Sequence, residues 1–173
     1  MFRKISLFIL FVIISPSLAD DFSSERLLGI EVGYTNTMTN GNGTQRSERD
    51  VEGGIRIGAQ NDDWRTTLAA RFMKSGGRDY QKVMLDFDHF VWESLYKTDH
   101  VVFKPYLGGH LGWLRYTDDV SLSDNGFAYG GQLGLALTVL DEVDFDLGYR
   151  YTVTDIETVD NFGSFVFGVN YIY

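Results

Sequence analysis

The sequence contains no cysteine. Disulfide-stapled secreted folds and thiol chemistry are therefore excluded together, and the chain must be held by packing, hydrogen bonds or a membrane. Beyond the N-terminal segment no apolar run approaches the ~18 residues of a transmembrane helix, so a membrane, if crossed, is not crossed by a helix. Positive charge is also scarce: 15 Lys and Arg stand against 24 Asp and Glu, a net charge of -9. Nucleic acid is an unsuitable partner for such a chain. Only three histidines, His89, His100 and His110, are available for acid–base or metal chemistry. There is no linker, no low-complexity tract and no solenoid repeat.

What is present begins with Arg3 and Lys4, the apolar run Ile5 to Ile14, and then Ser15, Pro16, Ser17, Leu18 and Ala19. This is the layout of a secretory signal peptide cleaved after Ala19, too short in its apolar part to span a bilayer. Residues 1–19 are expected to be removed and residues 20–173 to form one domain. The leader takes two bases and no acids, leaving 13 bases against 24 acids and a net charge of -11.

From residue 28 onward the dominant signal is strict alternation. Leu28, Ile30, Val32 and Tyr34 take turns with Gly29, Glu31, Gly33 and Thr35; Ile55 and Ile57 with Glu52, Gly54, Arg56 and Gly58; Leu68 and Phe72 with Arg65, Thr67 and Arg71. The pattern recurs with Val83, Leu85 and Phe87 against Lys82, Asp86 and Asp88, with Leu133, Leu135 and Leu137 against Gln132, Gly134 and Ala136, and with Leu147, Tyr149 and Tyr151 against Asp144, Asp146 and Arg150. Period two means strands with one apolar and one small or polar face. Eight such strands are read, the fifth within FKPYLGGHLGWLRYT and the eighth being FVFGVNYIY. Short turns at NDD and LDE, with a longer stretch near WESLYKTDH, alternate with the polar segments TNGNGTQRSERD, KSGGRDYQ, TDDVSLSDN and TDIETVDN. The expected fold is an all-β, eight-stranded antiparallel up-and-down transmembrane barrel, short turns periplasmic and longer loops extracellular.

A soluble barrel shares the alternation but faces it the other way. The polar face is what separates them: small residues accompany Glu31, Glu52, Asp86, Asp88, Asp144 and Asp146 on one hand, and Arg56, Arg65, Arg71, Lys82, Arg115 and Arg150 on the other. Six acids balanced by six bases suit a confined lumen, where an unpaired charge is costly. Water around a soluble barrel would screen each charge separately. The aromatics Trp64, Trp92, Trp113, Tyr149 and Tyr151 fall toward strand ends on the apolar face, as residues of the membrane–water boundary do.

KPYLGGHLGW, AYGGQLGLAL, DFDLGYRYT and the terminal FVFGVNYIY together resemble the small eight-stranded outer-membrane barrels of Gram-negative bacteria, the OmpA/OmpX-type and opacity-protein-like group. The resemblance spans the mature chain and is specific to architecture rather than to one activity. It implies outer-membrane lipid and lipopolysaccharide as surroundings, periplasmic chaperones and the barrel-assembly machinery as partners in biogenesis, and a monomer. Phe165, Phe167, Val169, Tyr171 and Tyr173 would then be the lipid-facing stripe of the last strand and the assembly signal, with Tyr where the family more often ends in Phe. No peptidoglycan-binding domain is expected.

The sequence carries no recognisable catalytic motif. No histidine is followed by the His-x-Ser-Asn pattern of lipid A deacylase barrels, SGGR lacks the ending of a phosphate-binding loop, and the acids near Asp118, Asp119 and Asp124 lack calcium-loop spacing. No cofactor or metal is expected. The leading expectation is a non-enzymatic barrel with a filled polar lumen, serving envelope integrity or displaying residues 36–50 and 117–125 to a host or surface ligand. The alternatives are a small porin-like channel, a lipid-modifying enzyme and a soluble ligand-binding barrel.

Overall fold

The computed structural model describes residues 24–41, 44–92, 96–97, 101–118, 123–139 and 142–173. The expected signal peptide, Asn42-Gly43, His100 and Asp119 lie outside the described residues.

Among the described residues, alternating β-branched, aromatic and glycine residues extend into nine strands: β1 (Glu25–Gly41), β2 (Thr44–Gln60), β3 (Trp64–Ser75), β4 (Arg78–Phe90), β5 (Tyr96–Lys97), β6 (Val101–Asp118), β7 (Ser123–Val139), β8 (Val143–Thr154) and β9 (Val159–Ile172). Eight are long, and the two-residue β5 only pairs with the start of β6. Each long strand is antiparallel to the next, β4 pairs with β6, and β1 pairs with β9, so the sheet closes without an edge. At the seam the Arg26 N–H donates to the Tyr173 carbonyl at 3.0 Å and the Tyr173 N–H returns the bond at 2.9 Å.

Register fixes the tilt. A rung starting at Arg115 passes through Gln81, Phe72, Gly53, Val32, Phe167, Leu147 and Leu135 and comes back to β6 at Pro105, ten positions lower on the same strand. Such stagger is what closing a narrow barrel demands.

The two faces separate as the alternation implies. Ile30, Leu107, Leu133, Leu147 and Phe165 stand on the outside with 56–67% of their surface exposed, while Glu31, Arg65, Arg71, Asp86 and Asp146 are buried in the lumen. This is the polarity of a wall made for lipid.

The polar segments on the far side carry more strand than their composition signals. β1 and β2 stay paired from Glu25 and Gln60 up to Gly41 and Thr44, so residues 36–41 and 44–50 are two paired arms of a raised hairpin. Ser75 and Arg78 also pair, and the chain reverses through Gly76 and Gly77 at φ of 57° and 80°, a left-handed bend open mainly to glycine.

Candidate functional site

The lumen gathers the chemistry. Odd positions of β1 and even positions of β2 and β4 point inward, which brings Glu31, Glu52, Arg56, Lys82, Asp86 and Asp88 to one side; Arg65 and Arg71 of β3 and Asp144, Asp146 and Arg150 of β8 complete the ring.

Two clusters form within it. In the upper one Glu31 accepts two bonds from Arg150 at 3.1 Å and one from Arg71 Nε at 2.5 Å, and lies 3.6 Å from Arg56. Arg71 also holds Asp86, while Lys82 pairs with Glu52, which lies 3.8 Å from Arg150. In the lower one Arg65 sits between Asp88 and Asp146, 3.0 Å from each, and Arg56 caps Asp146 from the opposite side. Gln132 joins the two, donating to Asp88 at 2.6 Å and accepting from Arg150 at 3.0 Å. Asn170 accepts from Arg56 at 2.7 Å and donates to Asp146 at 2.8 Å. Among the described residues Asp144 has no cation: Gln60 donates to it at 3.0 Å and its Oδ1 stays unpartnered.

Arg115 corrects the sequence reading. It lies on the outer wall, exposed, on the same face as Trp113, whereas Leu114 and Tyr116 turn inward. The strand keeps its period of two without a bulge through this stretch, so an odd position cannot share the face of His110 and Gly112. The ring is therefore six acids against five bases.

The charges are sealed at both ends by apolar side chains, which polarity-based reading of the inner face did not anticipate. Toward the turns with NDD and LDE, Phe90, Tyr106 and Ala136 close the lumen, with the Arg65 guanidinium 4.8 Å from the Tyr106 ring centre. The Tyr106 hydroxyl lies over the paired Gly134 and Gly148, where a Cβ on either would come within 2.6 Å of it. Gly148→Val is accordingly expected to cost about 1–3 kcal/mol by overpacking, read as a lower urea midpoint for the refolded barrel.

At the opposite end Met73, Tyr80, Met84, Leu114, Tyr116, Ala128, Ile156, Val159 and Phe162 form a larger plug. Tyr80 meets Phe162 edge-on at 5.6 Å and Lys82 Nζ lies 3.8 Å from the Phe162 ring centre. Ile156 arrives from the β8–β9 connection, folded inward by the Ile156 N–H donating to Thr154 Oγ1 at 2.9 Å and the Phe127 N–H donating to the Asp155 carboxylate at 2.6 Å.

The remaining candidates fall as follows. His110 is in the lumen, its Nε2 2.9 Å from Thr152 Oγ1 and its Nδ1 without a partner. Among the described residues no carboxylate hydrogen-bonds that ring, as a hydrolytic triad requires. His89 faces outward, tilted on Trp64 at 4.4 Å. Trp64, Trp113, Tyr149 and Tyr151 are exposed on the outer wall, and Trp92 is exposed just beyond the end of β4. So are Phe165, Phe167, Tyr171 and Tyr173, with Val169 half-buried between them.

Solved structures share the architecture at low identity. Neisserial surface protein A aligns with a TM-score of 0.69 at 18% identity, covering 88% of this chain and 100% of that one. Outer membrane protein H of P. aeruginosa, solved in DHPC micelles, aligns at 0.62 and 20%, covering 86% and 99%. The outer membrane enzyme PagL aligns at 0.51 and 14%, covering 83% and 97%. No curated protein matches the sequence. The model for the outer membrane protein beta-barrel domain matches residues 5–172, and with a closed eight-strand wall that is apolar outside and charged inside, the chain belongs to this family of bacterial outer-membrane barrels.

Proposed function

We propose that the protein is a non-conducting, non-enzymatic barrel that stabilises the outer membrane and presents the raised β1–β2 hairpin, residues 36–50, at the cell surface. The observation that carries this reading is the lumen filled in three layers, an apolar plug at each end and a salt-bridged ring between them. An ion crossing it would have to displace Tyr80, Phe162 and Tyr106 and break the buried pairs of the ring.

An enzymatic role is disfavoured by position: His110, the described histidine with a hydroxyl neighbour, faces the lumen and not the lipid. The aromatic stripe from Phe165 to Tyr173 supports recognition by the assembly machinery, with lipid covering it afterwards.

Planar-bilayer recording on the refolded protein tests the reading. Baseline current with no discrete openings is expected across a wide voltage range. Stable unitary steps would establish the porin-like alternative.

A further inference from the structure

The five bases of the ring leave one acid over, and the excess is not spread evenly. Glu31, Glu52 and Asp86 of the upper cluster meet Arg71, Lys82 and Arg150, three against three. Toward the turns with NDD and LDE, Asp88, Asp144 and Asp146 face only Arg56 and Arg65, and both of these are engaged with Asp88 or Asp146. The unmatched charge is Asp144. Lys104, which shares the inward parity of Tyr106 and His110, is drawn instead to Asp62 at 3.1 Å.

Asp144 stands where a lone charge is hard to keep. It has 1% of its surface exposed, lies near the start of β8 and belongs to the end of the lumen closed by Phe90, Tyr106 and Ala136. Leu27 and Ile172, buried and directly paired across β1 and β9, stand at the same end. A carboxylate enclosed among apolar side chains without a counter-charge is costly. Among the described residues its hydrogen-bond partner is Gln60, the last residue of β2 and 6% exposed, whose Nε2 donates to Asp144 Oδ2 at 3.0 Å. The other oxygen of the carboxylate, Oδ1, and the oxygen of the amide, Oε1, both lack a donor. The two planar groups meet through one atom each, so these oxygens stand on the branches beside the shared bond. Thr138, paired with Asp144 across β7 and β8, brings a hydroxyl to the same face. Acceptors gathered on buried groups need something positive between them.

We propose that this end of the lumen is a binding site for one monovalent alkali cation, sodium or potassium, ligated by Asp144 Oδ1, Gln60 Oε1 and the Thr138 hydroxyl oxygen. One unit of excess charge matches one monovalent ion, and a divalent ion would overshoot it. Oxygen donors alone are what a hard cation takes. Among the described residues no three acid, histidine or cysteine side chains gather as a divalent or transition ion needs. The ion is enclosed as the strands close, and it brings the ring to neutrality. The inference rests on the closed fold and not on what the raised hairpin presents.

Urea unfolding of the barrel in phosphatidylcholine vesicles, with sodium chloride exchanged for choline chloride at constant ionic strength, tests the proposal. Choline carries the same charge but is too large for an enclosed site. The unfolding midpoint is expected to rise with the logarithm of the sodium concentration and to stay flat in choline, as for a ligand bound by the folded state alone. A parallel titration with potassium ranks the two ions. The dependence is expected to vanish in Asp144→Asn, which keeps the shape and removes the charge, and to weaken in Gln60→Leu. It is expected to persist in Asp63→Asn, which alters an exposed acid at the same end. A midpoint of the unmodified protein that ignores sodium and potassium alike would overturn the site; a fall with rising pH would then assign the neutralising role to a proton, and no fall would assign it to water. Equal sodium dependence in Asp144→Asn would also overturn it, because the ion would then act elsewhere on the barrel. Heat-dependent gel mobility checks that each variant folds.

Discussion

Arg71→Met is expected to destabilise the barrel by about 3–5 kcal/mol, because it leaves a buried carboxylate without its counter-charge. Arg71 is fully buried and joins Glu31 to Asp86. Glu31 keeps Arg150 and Arg56, whereas among the described residues Asp86 keeps a long hydrogen bond from Thr67 at 3.4 Å and the more distant charge of Arg150. The loss should therefore fall mainly on Asp86, and Asp86→Asn added to Arg71→Met should recover much of it. Urea unfolding in phospholipid vesicles, run as a double-mutant cycle, measures both effects. A single-variant loss below about 1 kcal/mol would mean that the ring is hydrated well enough to do without its pairs.

Phe162→Ala is expected to cost about 3–5 kcal/mol. Phe162 has no exposed surface, packs on Tyr80 and lies under the Lys82 ammonium. The barrel wall is a hydrogen-bonded cylinder, so it cannot collapse to fill the hole as a looser core might, which places the loss at the upper end of the range. The same cavity removes one layer of the outer plug. Conductance in Phe162→Ala should nevertheless stay at baseline, since the salt-bridged ring and the Tyr106 plug remain below it. Unfolding in urea and bilayer recording on one preparation separate the two consequences.

The alternation of Leu28 to Tyr34 and of Phe165 to Tyr173 made fold and faces legible, because lipid on one side and a packed lumen on the other give every second residue opposite requirements. The same contrast located eleven of the twelve proposed lumen charges on the inward face. It failed at Arg115, where the stretch from Leu107 to Trp113 has glycine on both faces and the phase is hard to follow. It also faded in TNGNGTQRSERD, where both faces are polar, so the paired hairpin there left no hydropathy signal although its ladder continues. The outer plug was hidden for the opposite reason. Tyr80, Met84, Leu114 and Tyr116 are apolar residues on the inward parity, and an apolar residue on a nominally polar face is noticed only once the register sets Tyr80 opposite Tyr116, with Leu114 two positions and Met84 four positions below them. Which charges pair across the lumen depends on the stagger between strands far apart in sequence, such as Glu31 with Arg150, and alternation within a strand does not encode it.

The apolar face meets lipid and the charged face is enclosed. Because the protein has no cysteine, single replacements at Ile55, Leu68, Val83, Leu133 and Leu147 give unique labelling sites on the outer wall. Fluorescent labels at these positions, with the protein folded into vesicles containing brominated lipid, provide the most direct test. The expected result is strong quenching by brominated chains at all five positions and little by aqueous iodide. Iodide quenching without lipid quenching would contradict the account, since the apolar face would then not be the one that lipid covers.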